Sequence, residues 1–151
     1  MTLSKLMIAA AVLATLPLAA QAAPPARVAP KVAVEGAWCR AAPKGAPAGG
    51  CYLTLTASAA DQLVSVETPA AARAEIHTMS MDGGVMRMRK LSEGLPLPAG
   101  QAVALKPGAE HLMVIGPKID LAVGASVPLT LRFKSAPPVT INAPVKAVGG
   151  K

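Results

Sequence analysis

From Val32 onward the chain alternates apolar and polar residues in short runs that Gly, Pro and Asp interrupt, and no long stretch repeats at helical spacing. Val32 to Cys39 reads as a first strand ending at Trp38, and Cys51-Tyr52-Leu53-Thr54-Leu55-Thr56 as a second beyond a Pro/Gly-rich segment. Gln62 to Thr68 makes a third, and Pro69 to Ala72 a connector with room for one helical turn. Arg73 to Met81 and Val85 to Leu91 flank Asp82-Gly83-Gly84, a hairpin signal. Gln101 to Leu105, His111 to Ile115, Val127 to Phe133 and Val139 to Ile141 complete the set, with breaks predicted at Ser92 to Gly94 and Pro96 to Gly100. Short strands with turn signals about every eight to twelve residues predict an all-β sandwich or barrel. No linker divides them, so residues 32–142 form one domain, between a loose arm (23–31) and a frayed tail (143–151).

The first residues stand apart. Lys5 precedes an apolar run from Leu6 to Ala20, and Ala20-Gln21-Ala22 supplies a small-x-small cleavage site, so residues 1–22 read as a signal peptide. The run falls short of the roughly 20 apolar residues of a membrane span. No Cys stands at the cleavage site to take a lipid, and the predicted destination is the periplasm or the extracellular space. The formal charge of +7, about +6 once Lys5 leaves with the leader, then acts outside the cytoplasm, where nucleic acid is a poor candidate partner. Three aromatics, Trp38, Tyr52 and Phe133, also offer little base-stacking surface. The basic balance suits encounter with acidic surfaces. In an oxidising compartment Cys39 and Cys51, on either side of the turn-rich segment, are compatible with a disulfide.

Candidate chemistry concentrates between His77 and Met113. Of seven Met, two (Met1 and Met7) fall in the leader; the other five, and both His, lie in this window. On strands, residues two apart share a face. His77, Met79 and Met81 therefore look one way, Met86 and Met88 share a face, and so do His111 and Met113, with aliphatic residues behind. Neutral, soft thioether sulfur beside imidazole suits Cu(I); zinc favours Cys, His and carboxylate, and calcium and magnesium require oxygen. A thioether cannot be lost to a disulfide, which suits an oxidising envelope. The His111-Leu112-Met113 pair carries the strongest signal, His77 and Met88 the next, with Met79, Met81 and Met86 as additional ligands, loading positions or packing.

The order of these residues resembles the PCu(A)C family of periplasmic copper chaperones, whose hallmark is H-(M)-x10-M-x21-H-x-M. His77 is followed by ten residues and Met88; twenty-two, one more than the pattern, separate Met88 from His111, and Met113 completes H-x-M. Trp38-Cys39-Arg40-Ala41, Gly50 to Leu55, Met79 to Arg89, Leu105 to Gly108 and Val127 to Leu131 extend the likeness. The resemblance implies a cupredoxin-like Greek-key β-barrel or sandwich and a Cu(I) site of His77, Met88, His111 and Met113. It also implies delivery toward the CuA centre of cytochrome c oxidase, alongside Sco-type proteins. Two features depart from the family: small residues usually stand at Cys39 and Cys51, and the tail from Pro144 to Lys151 lacks the His and Met that some members use for Cu(II).

No nucleophile elbow, Cys/His pairing or singled-out carboxylate pair supports an enzyme. Blue-copper electron transfer needs a Cys thiolate beside two His, and neither Cys lies in the window. The competing readings are copper storage or detoxification on the same residues, and a structural sandwich whose Met cluster is incidental.

Overall fold

The computed structural model describes residues 28–149; the leader and most of the N-terminal arm lie outside them. Ten strands follow one another: β1 (Val32–Arg40), β2 (Ala48–Ala57), β3 (Asp61–Glu67), β4 (Ala71–Asp82), β5 (Val85–Lys90), β6 (Leu95–Leu97), β7 (Ala102–Leu105), β8 (His111–Pro117), β9 (Ser126–Phe133) and β10 (Val139–Lys146). They join in the order β5-β4-β8-β2-β1-β10-β9-β3-β6, with β7 on the second half of β2. The sheet rolls into a two-layered, cupredoxin-like sandwich, and its ends, β5 and β6, stay open instead of closing a barrel.

Alternation explains the layers. Leu53, Leu55 and Ala57 of β2, and Val127, Leu129 and Leu131 of β9, turn inward and are at most 2% exposed; each Leu contributes roughly 1.5–3 kcal/mol by leaving water. Cys39 and Cys51 face each other directly across β1 and β2 and are disulfide-bonded inside this core. On the chain-entropy estimate, so short a loop stabilises the fold by about 3 kcal/mol.

The structure revises the sequence reading in three places. β10 runs on to Lys146, pairing Cys39 with Val145 and Arg40 with Lys146. The segment expected to fray from residue 143 thus supplies Ala143 and Val145 to the core; Pro144 disguised the strand. Leu95–Leu97 forms β6 where Pro96 predicted a break, because β6 pairs only with β3 and an edge strand tolerates proline. Residues 69–70 form a turn without a helix.

Candidate metal centre

The metal-type residues sit on the β5-β4-β8 wing. Asp82 pairs with Val85 around Gly83 and Gly84, both at positive φ, as a type I′ hairpin requires. That turn fixes the register: His77 opposite Lys90, Met79 opposite Met88, Met81 opposite Met86. On its other side β4 meets β8, with His77 opposite His111 and Glu75 opposite Met113; Met113 in turn faces Gly50 of β2. Paired residues project to the same side of a sheet. One face therefore carries His77, Met79, Met81, Met86, Met88, His111 and Met113, while Ile76, Leu112 and Val114 enter the core behind it, at 4% exposure or less.

Both imidazoles are held by one nitrogen and free at the other. His111 is buried and its Nδ1 lies 2.9 Å from the Ala109 carbonyl oxygen. The carbonyl can only accept, so Nδ1 carries the proton and Nε2 keeps a lone pair. His77 is anchored the opposite way: its Nε2 lies 2.9 Å from Glu75 Oε2, and Nδ1 is buried without a partner. An orphaned acceptor in a buried position is costly, and a cation on that lone pair would relieve it. The ring centroids are 5.9 Å apart at 62°. Glu75 is steadied by Arg73 Nε (3.2 Å) and Lys90 Nζ (3.3 Å) on its other oxygen. The hydrogen bond from His77, foremost, and the Lys90 and Arg73 charges hold its carboxyl below the ordinary glutamate value.

Beside the His111 ring lies an open cleft of about 220 Å³ whose walls include Met88, His111, Met113, Gly50, Tyr52 and Arg40. Tyr52 packs against His111 with centroids 6.3 Å apart, and Trp38 against Tyr52 at 4.7 Å. A Cβ on Gly50 would come within 2.7 Å of the Tyr52 hydroxyl, so only glycine leaves this ring its place. Among the described residues no three His, Cys, Asp or Glu side chains gather as a hard-ligand site. Thioethers remain to complete a donor set around the two nitrogens, which fits a soft monovalent ion better than zinc or calcium.

The face brings His77, His111, Met88 and Met113 around one edge. Met79 adjoins them, and Met81 and Met86 stand farther out, toward the hairpin tip. The sequence reading missed Glu75. Its signal was present: Glu75 precedes His77 by two and so shares its face.

A family model described as "Putative lipoprotein LpqE-like" matches residues 32–145. A putative lipoprotein of Leifsonia xyli subsp. xyli is 32% identical over 133 residues, which span 88% of this chain and 80% of that protein. The apo PCuAC domain from PmoF1 is 27% identical with a TM-score of 0.65, covering 80% of this chain and 98% of that domain. The Cu(I) form of DR1885 from Deinococcus radiodurans is 29% identical with a TM-score of 0.59, covering 84% of this chain and 81% of its own. Relatives described as lipoproteins point to the cell envelope, and among the described residues no helix is long and apolar enough to cross a membrane. Matched along most of its described length by this model and by these relatives, the chain belongs to the LpqE-like family, the family of PCu(A)C domains.

Proposed function

We propose that this protein is a periplasmic, non-enzymatic copper chaperone. It binds Cu(I) through His77 Nδ1, His111 Nε2 and the sulfurs of Met88 and Met113, and delivers it toward the CuA centre of cytochrome c oxidase, in company with Sco-type proteins. The observation that carries the reading is the pair of opposed imidazoles, each with one nitrogen anchored to oxygen and the other bare, on a face otherwise furnished with thioethers. A relative of the same fold solved in its Cu(I) form supports it. All four donors are neutral, so the bound ion keeps its single charge, and binding requires no proton to leave the thioethers. Met88, 46% exposed, leaves one side of the site open to a recipient. That openness favours transfer over storage, which would be served by enclosure.

X-ray absorption on the Cu(I)-loaded protein tests the ligands. The expected first shell is two nitrogens and two sulfurs, with one neighbour lost in each of His77→Ala, Met88→Leu, His111→Ala and Met113→Leu. A first shell unchanged in all four variants overturns the assignment. Mixing the loaded protein with an apo CuA domain tests delivery, and transfer no faster than from free cuprous ion would leave storage as the role.

A further inference from the structure

Three thioethers of the β4–β5 hairpin are exposed. β8 pairs with β4 only as far as His77, so the hairpin from Thr78 to Arg89 stands out from the body as two strands alone. On it Met88, Met86 and Met81 are 46%, 53% and 66% exposed. An exposed Met fills no gap, and packing does not account for it. The opposite face of the tip is ionic: Arg89 Nη2 and Arg87 Nε reach Asp82 Oδ2 at 3.0 and 3.5 Å. The tip thus keeps its charges on one side and its sulfurs on the other.

We propose that Met81 and Met86 form an outer station for a soft monovalent cation, from which the ion passes through Met79 and Met88 to the imidazole pair. Cross-strand partners have Cβ atoms about 4.5–5.5 Å apart. Two flexible thioethers from such positions can bring their sulfurs to opposite sides of one ion, at metal–sulfur distances of about 2.3 Å. Successive pairs on one face are about 7 Å apart along the strand, a gap that the long side chains on both pairs span. Passage is ligand exchange: a metal–sulfur bond to Met79 or Met88 forms as one to Met81 or Met86 breaks. The charge stays +1, no proton moves and no electron is transferred. The proposal rests on the reading of His77, Met88, His111 and Met113 as a cuprous site and adds a route to it.

The test uses the full mature chain with 13C-methyl-labelled Met and Ag(I), a redox-stable probe of soft sites, together with a Met81→Leu/Met86→Leu variant that keeps apolar bulk. The Met79 and Met88 methyl signals should shift within the first equivalent of Ag(I), and those of Met81 and Met86 as the second is added. In the variant, Cu(I) affinity of the inner site should stay within about threefold, while capture of Cu(I) from a small chelator slows about tenfold as the local thioether concentration is lost. Capture at the wild-type rate, or Met81 and Met86 methyls unmoved through two equivalents, overturns the station. A variant slowed only in passing Cu(I) to a protein, and not in capture from the chelator, would make the tip a docking patch and overturn it as well. Should Ag(I) perturb neither His ring nor Met113, the inner site itself fails, and the Met81 and Met86 signals still report separately on the outer one.

Discussion

The two open ends of the sheet have opposite treatments. β6 is three residues long, carries a proline and buries Leu95 and Leu97. Beside it, the carboxylate of Asp61 accepts N–H bonds from Gln62, Ser135 and Ala136, which fastens β3 to the loop after β9. β5, at the other end, exposes all six residues. An unpaired edge invites aggregation, and here Arg87, Arg89 and Lys90 answer that hazard with charge rather than with cover. One edge is closed for stability. The other is kept accessible, and two of its three exposed apolar side chains, Met86 and Met88 beside Val85, carry sulfur. The contrast teaches that exposed apolar residues on an edge need a reason other than folding.

The sharpest way to break this comparison is to cut a side chain from each end. Leu97→Ala should cost about 2–5 kcal/mol in chemical denaturation, because Leu97 is 1% exposed and its neighbours cannot refill the space. A cost below about 1 kcal/mol would mean that the β6 end is not sealed in the sense argued from its burial.

The next effect concerns the metal wing. Glu75→Gln keeps shape but removes the charge that holds His77 Nε2–H, and the loss of such an outer partner typically weakens metal affinity 10–100-fold. The expected signature is weaker Cu(I) binding by competition titration, with His77 no longer confined to the Nε2–H tautomer in imidazole 15N spectra of the apo protein. An unchanged tautomer and affinity would make Glu75 a partner of Arg73 and Lys90 alone.

How far the chain could be read in advance follows the same division. Alternation exposed the faces of β4, β5 and β8, since a period of two is local and Asp82-Gly83-Gly84 fixes its own turn. What it could not give was register between β4 and β8, because three other strands and their connections intervene before His111; that His77 faces His111 depends on tertiary pairing. The bare Nδ1 of His77 is likewise a product of Glu75, Lys90 and Arg73 converging in space. The reading failed where proline stood, at Pro96 in the edge strand β6 and at Pro144 inside β10, because a local rule against proline in strands yields to edge position and to pairing through neighbours.

A smaller effect should appear at the Asp61 latch as a pH dependence. Burial alone would raise this carboxyl, but the N–H groups of Gln62, Ala136 and Ser135 outweigh it and hold the carboxyl below its ordinary value. A depressed folded value adds stability at pH above the ordinary aspartate range and loses it as pH falls through the lowered value. Asp61→Asn should therefore be less stable than wild type at neutral pH by about 1 kcal/mol, reduced from a fully buried case because the carboxylate is partly exposed. The difference should shrink on acidification below the ordinary carboxylate range. A difference that does not change with pH would assign the latch to shape rather than charge.

The smallest expected effect is the most discriminating. Met81→Ala/Met86→Ala removes two large side chains from the open end, yet surface truncations away from packing usually stay within about 0.5 kcal/mol. Denaturation should find this variant near wild type, against the several kcal/mol expected of one leucine at the sealed end. Equal losses at the two ends would show that the hairpin tip packs as core, and the exposure of Met81 and Met86 would then demand no chemical explanation. A near-zero loss leaves thioethers that folding does not use, on the strand edge nearest the imidazole pair.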